Sequence, residues 1–140
     1  MLHRYLALKY RKSAYPVDDE ALCGTIDFAC DSFARVYKAH AQIVVPILGF
    51  TPMPADDAET RAGLAKAYVD AMDKWCAVFL KKKFVGGDEP SIADFKAASF
   101  LVCAEHPSVK KNFPTYEVHR PRRMRRWHKL HTTYRSLGQR

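Results

Sequence analysis

Ser91 and Asp94 stand three residues apart in the run Phe84-Val85-Gly86-Gly87-Asp88-Glu89-Pro90-Ser91-Ile92-Ala93-Asp94. A hydroxyl and a carboxylate at close spacing are two parts of a nucleophile–base arrangement. Just before an apolar run, the same spacing has a commoner use. Ser91 accepts a hydrogen bond from the Asp94 N–H, and the Asp94 carboxylate reaches back to the Ser91 N–H, a capping box with Asp in place of Glu. Each of the two is then a folding device worth about 1 kcal/mol. Gly86 and Gly87 supply positive φ to the turn before it. His128 and His131 have a spacing able to hold a metal. No Cys, Asp or Glu lies near them in sequence, so they read as exposed histidines on a basic helix, and no metal is expected. Phe33, Tyr37 and His40 recur at helical spacing and would line a pocket if their face were open; the same spacing serves a core.

The four cysteines, Cys23, Cys30, Cys76 and Cys103, show no C-x-x-C spacing and lie among apolar residues. This predicts buried free thiols in a reducing intracellular compartment rather than disulfides or a zinc site. Neither a catalytic residue nor a cofactor is predicted.

Charge is distributed unevenly. Of 23 basic residues, eight fall between His119 and Arg140, a stretch without an acid: Arg120, Arg122, Arg123, Arg125, Arg126, Lys129, Arg135 and Arg140. The rest of the chain is balanced, so this segment carries the whole net charge of +8. Arg122, Arg123, Arg125 and Arg126 flank Met124 and Trp127, so that one helix face packs and the other presents guanidinium groups. Such a face suits an acidic surface: a protein, RNA phosphate or anionic lipid. RNA binding would weaken steeply as salt rises. The first seventeen residues also lack acids and carry Arg4, Lys9, Arg11 and Lys12, which suits a mitochondrial import signal and places the mitochondrion slightly ahead of the cytosol. No apolar run is long enough to span a bilayer.

Chain length supports one domain with a substantial core. Residues 2–12 suit a helix, broken by Ser13-Ala14-Tyr15-Pro16. After Asp18, Asp19 and Glu20, a long amphipathic helix is predicted from the stripe Leu22, Ile26, Ala29, Cys30, Phe33, Tyr37, His40 and Val44, bent or ended by Pro46. A second long helix, about 57–83, carries Leu64, Ala67, Tyr68, Ala71, Met72, Trp75, Val78 and Phe79 and closes on Lys81-Lys82-Lys83. A third follows Ser91 to about Ala104, with Phe95, Ala98, Leu101 and Val102 as its buried face. A looser stretch punctuated by Pro107, Pro114 and Pro121 leads to a last helix, about 122–134. The reading is all-α: a bundle of about five helices, the two long ones antiparallel.

Several of these runs together resemble the C-terminal helical domain of the glutathione transferases, the theta-like members most of all. The Gly-Asp-x-x-Ser-x-Ala-Asp run of residues 87–94 resembles that domain's signature. Residues 1–10, MLHRYLALKY, resemble the helix that closes the family's thioredoxin-like domain, and Tyr15-Pro16 its interdomain linker. Met124 and Trp127 resemble its late L-x-x-W, although Pro121 stands six residues before the tryptophan where the family has five. The resemblance implies a remnant helix at 1–12, a linker at 13–18, a helical domain at 19–118 and a basic end at 119–140. It covers the half that lines a hydrophobic co-substrate pocket and contributes to dimerisation. The residues that activate and hold glutathione belong to the thioredoxin-like half. The implied function is therefore a non-catalytic scaffold, an accessory subunit docked among other protein subunits in a respiratory complex, ATP synthase or ribosome. The alternative is a split or degenerate transferase that binds glutathione or a hydrophobic ligand, with a partner domain docked on the first helix.

Overall fold

The computed structural model describes residues 2–114, and within them the protein is an all-α bundle. Six α-helices follow one another: α1 Leu2–Tyr10, α2 Glu20–Ser32, α3 Ala34–Val44, α4 Ala58–Phe79, α5 Ile92–Ala104 and α6 Pro107–Asn112, with a 3-10 turn at Lys12–Ala14 after α1. The basic segment with Arg120, Arg122, Arg123, Arg125, Arg126, Lys129, His128 and His131 lies outside the described residues.

Local chemistry starts and stops most of these helices. The Asp19 carboxylate accepts from the Leu22 N–H (2.9 Å) at the start of α2, and Asp57 accepts from the Thr60 N–H (2.6 Å) at the start of α4. Helix α4 ends at Phe79, four residues short of the expected end, so the lysine run lies beyond it. Lys81 still serves that end, its Nζ donating to the Ala77 carbonyl at 2.8 Å. Helix α6 was expected as looser chain. Pro107 takes the first helical position, where its missing N–H costs nothing, and His106 Nδ1 accepts from the Ser108 N–H.

Helices α2 and α3 form the centre, packed against both α4 and α5. Three ring pairs fix how α4 lies on them: Phe28–Phe79 (5.5 Å between centroids), Phe33–Trp75 (5.3 Å) and His40–Tyr68 (5.6 Å). As one partner number rises the other falls, so the two elements are antiparallel. The core joins Ile26, Ala29, Phe33, Val36 and Ile43 to Tyr68, Met72, Cys76, Ala97, Leu101 and Phe113. Ala7 and Ala14 belong to this same core, so α1 and its turn are built into the bundle rather than set apart from it.

Helix α5 buries only part of the face expected: Leu101 is inside and Ala98 packs against the core, but Phe95 and Val102 are not buried. Ile92, Ala93, Ala97 and Ala104 are inside as well. The helix is apolar nearly all round, so hydropathy carries no direction there. The turn before α5 also departs from expectation. Only Gly87 has positive φ (+97°); Gly86 is needed because a Cβ there would meet the Glu89 carbonyl oxygen at 2.7 Å. Gly86→Ala is therefore expected to destabilise more than Gly87→Ala, which costs about 1 kcal/mol. Urea midpoints of the two variants would decide the order.

Candidate functional site

The expected long helix over residues 20–44 is broken at Phe33, and a groove opens beside the break. Neither Pro nor Gly stands there; Phe33 itself keeps a right-handed conformation (φ −67°, ψ −11°). The break is held from a distance. An ending helix leaves its last four carbonyls without intrahelical partners. Trp75 Nε1 of α4 donates to the Ala29 carbonyl at 2.9 Å, and Lys96 Nζ of α5 donates to the Cys30 carbonyl at 2.7 Å. The Lys96 ammonium also lies 5.7 Å from the Phe33 ring centroid. Two neighbouring helices thus supply what the end of α2 lacks.

At this corner a groove of about 760 Å³ opens between the α2–α3 junction and α4. Val36, Trp75 and Phe79 form its buried apolar floor, and Phe28 and Val78, 63% and 54% exposed, stand on its rim. Asp31, Arg35, Asp70 and Lys74 add both signs of charge. Asp70 pairs with Lys66 one turn earlier; Asp31, Arg35 and Lys74 make no ion pair among the described residues. An apolar floor, two solvent-facing apolar side chains and unpaired charges of both signs are the components of a recognition surface. The only side-chain hydroxyl on the walls is Ser32, and no histidine or cysteine lines them.

Phe33, Tyr37 and His40 do not line this groove. Phe33 and His40 are buried, and Tyr37 is 57% exposed. All three rings turn toward α5 and meet Phe100 at 5.1, 5.8 and 4.8 Å. They continue an aromatic row that crosses the bundle from Phe28 through Phe79, Trp75, Phe33 and Phe100. His40 Nε2 has no hydrogen-bond partner among the described residues. Burial holds the imidazole down at about 4, against the pull of a hydrogen bond with the Phe100 backbone.

Ser91 and Asp94 are both fully buried, and the capping box is closed. Its carboxylate does more than the box requires. Asp94 accepts the Ser91 N–H (2.9 Å), the Ser91 hydroxyl (2.7 Å) and the Val85 N–H, which sits between both oxygens at 3.1 and 3.2 Å. The Val85 bond ties the glycine turn to α5, a role that the sequence did not disclose because the donor is nine residues upstream.

Of the cysteines only Cys76 is buried; Cys23 and Cys30 are half-buried and Cys103 is exposed. The expectation of four buried thiols fails because Cys103 lies on the outer side of α5. All four are free. Burial raises the pKa of Cys23 and Cys30, and the Cys23 thiol donates to the Pro16 carbonyl at 3.0 Å. Both are thus kept away from the thiolate form a nucleophile needs. Another polar cluster ties α1 to α2: Arg4 Nε and the Tyr15 hydroxyl donate to the two oxygens of Asp27 at 2.8 and 2.9 Å. Burial, then the bond to Asp27, pushes the Tyr15 pKa up to about 12, so it remains a neutral phenol. Among the described residues no group of three His, Cys, Asp or Glu is placed to hold a metal ion, and no helix is long and apolar enough to cross a membrane.

No family model, no curated protein and no solved structure matches this chain.

Proposed function

We propose that this chain is a non-catalytic helical scaffold, of the kind the glutathione transferase C-terminal domain represents, that docks among protein subunits of a larger assembly through the groove at the α2–α3 corner. The observation that carries this reading is the composition of that groove. Phe28 and Val78 face solvent above a floor of Val36, Trp75 and Phe79, beside Asp31, Arg35 and Lys74, which form no ion pair among the described residues. A protein partner that covers this groove gains the apolar area and fixes its own register against charges of both signs. The arginines at Arg120, Arg122, Arg123, Arg125 and Arg126, with Lys129, supply a second contact, to an acidic surface of the same assembly.

The test compares the native assembly formed by the tagged full chain with that formed by a Phe28→Asp/Val78→Asp variant. Both side chains are more than half exposed, but Phe28 also meets Phe79, so helical circular dichroism of the variant is checked first and Val78→Asp alone serves as the second variant. The wild-type chain is expected to migrate in a particle far above its own 16.0 kDa, and the variant at the size of the free chain. Monomeric migration of both proteins would overturn the reading. Calorimetric heat on adding glutathione would replace it with the transferase alternative.

A further inference from the structure

Residues 2–16 lie on the bundle with little burial of their own. Among the described side chains of α1 only Ala7 is buried, and the turn after it adds Ala14; Tyr5, Leu6 and Leu8 are exposed. Two methyl groups offset little of the chain entropy lost in ordering a stretch of this length. The seat is also unfilled. Leu6, Ala7, Arg11 and Ala14 stand across from Ile92 and Phe95 of α5 around a space of about 240 Å³.

What holds the stretch is polar, and most of it converges on one turn of α2. Arg4 Nε donates to Asp27 Oδ1 at 2.8 Å and its Nη2 lies 2.7 Å from the same oxygen, while the Tyr15 hydroxyl donates to Oδ2 at 2.9 Å. The Arg4 guanidinium also lies 5.7 Å from the Tyr15 ring centroid. A residue near the start of the stretch and one near its end are thus fastened to a single carboxylate. One turn earlier on α2, the Cys23 thiol holds the Pro16 carbonyl. On the α5 side the hold is looser. Arg11 Nη2 is 3.9 Å from Glu89, both side chains about half exposed, and the guanidinium is 5.6 Å from the Phe95 ring centroid. Exposed ion pairs contribute little and weaken as salt rises. Val17 and Asp18, exposed and outside any helix, join the stretch to α2.

We propose that residues 2–16 form a strap that opens as one unit while α2–α5 stay folded, with the Asp27 carboxylate as its latch and Val17 and Asp18 as its hinge. A segment with few buried apolar contacts and polar anchors opens at a lower free energy than the whole fold. Opening uncovers Ile92 of α5 and takes the acceptor away from the Cys23 thiol. The buried Cys76 of α4 is reached only when the bundle itself unfolds. The two thiols therefore tell the two kinds of opening apart.

The test follows amide hydrogen exchange and iodoacetamide labelling of the full chain by peptide mass spectrometry. In the wild type, α1 amides are expected to exchange more slowly than those of an unstructured peptide, yet about tenfold or more faster than those of the buried part of α4, and Cys23 to label ahead of Cys76. Asp27→Ala should speed both α1 exchange and Cys23 labelling about tenfold and leave α4 exchange and Cys76 labelling unchanged. Tyr15→Phe, which keeps the ring and removes one of the two donors, should give a smaller change in the same sense. Raising NaCl from about 0.05 M to about 1 M should also speed α1 exchange. A common rate for α1 and α4 overturns the strap, because the bundle then opens only as a whole. Unprotected α1 amides overturn it too, since nothing would then be latched. Faster Cys23 labelling in Asp27→Ala with α1 exchange unmoved overturns the latch, the lost negative charge then acting on the thiol alone. Indifference of α1 exchange to salt does the same. None of these outcomes bears on the α2–α3 groove, which Asp27 does not line.

Discussion

Asp94→Ala lowers the stability of the fold by about 4 kcal/mol, several times the effect of an ordinary helix cap. A lost cap costs about 1 kcal/mol because water replaces the missing acceptor. No water has access here, since Ser91 and Asp94 are fully buried. The substitution leaves the Ser91 N–H, the Ser91 hydroxyl and the Val85 N–H without their acceptor at one stroke. Each stranded buried donor costs about 1–3 kcal/mol, offset in part by relaxation of the turn. Asp94→Asn keeps one acceptor oxygen and should lose about half as much. Ser91→Ala removes a donor and leaves the carboxylate its backbone partners, so about 1 kcal/mol is expected. Urea denaturation of the three variants gives the order directly. An Asp94→Ala protein within 1 kcal/mol of wild type would mean that the carboxylate acts as a simple cap.

The second large effect is in the response to acid. His40 is held neutral by burial, near 4 in the fold against 6.5 when unfolded. Between these values the unfolded chain binds a proton that the folded chain refuses. The His40 contribution is therefore intact above about pH 6.5 and is lost progressively as pH falls toward 4. A gap of this size amounts to about 3 kcal/mol over that interval. His40→Phe keeps a ring against Tyr68 and Phe100 and has nothing to titrate. Its stability at pH 7 should lie within about 1.5 kcal/mol of wild type, while the loss between pH 7 and pH 4.5 should shrink by about 2 kcal/mol. Other carboxylates titrate in both proteins and cancel in the difference. Parallel pH profiles for the two proteins would refute the role given to His40.

What sequence reading captured, and what escaped it, follows from the range of the interactions. Helix α4 was legible because Tyr68, Met72, Trp75 and Phe79 repeat at the helical period and Asp57 marks its start. The capping box was legible because both of its members lie within three residues. The bend at Phe33 was not, because its cause is Trp75 and Lys96, more than forty residues downstream. The groove was hidden for the same reason. Val78 sits on the apolar stripe of α4 and reads as core, yet it is exposed on the lining of the groove. Phe28 lies off the stripe of α2 and gave no signal that it would stand beside Phe79. Helix α6 was passed over because its prolines read as interruption, although Pro107 is a helix start.

The remote origin of that bend has a consequence in time. A growing chain makes residues 20–44 long before Trp75, and Lys96 comes later still. Until both arrive, nothing in this stretch tells a helix to stop at Ser32, and a straight rod has no corner. The groove beside that break is thus among the last features of the chain to take shape, completed only after Trp75 and Lys96 have been added.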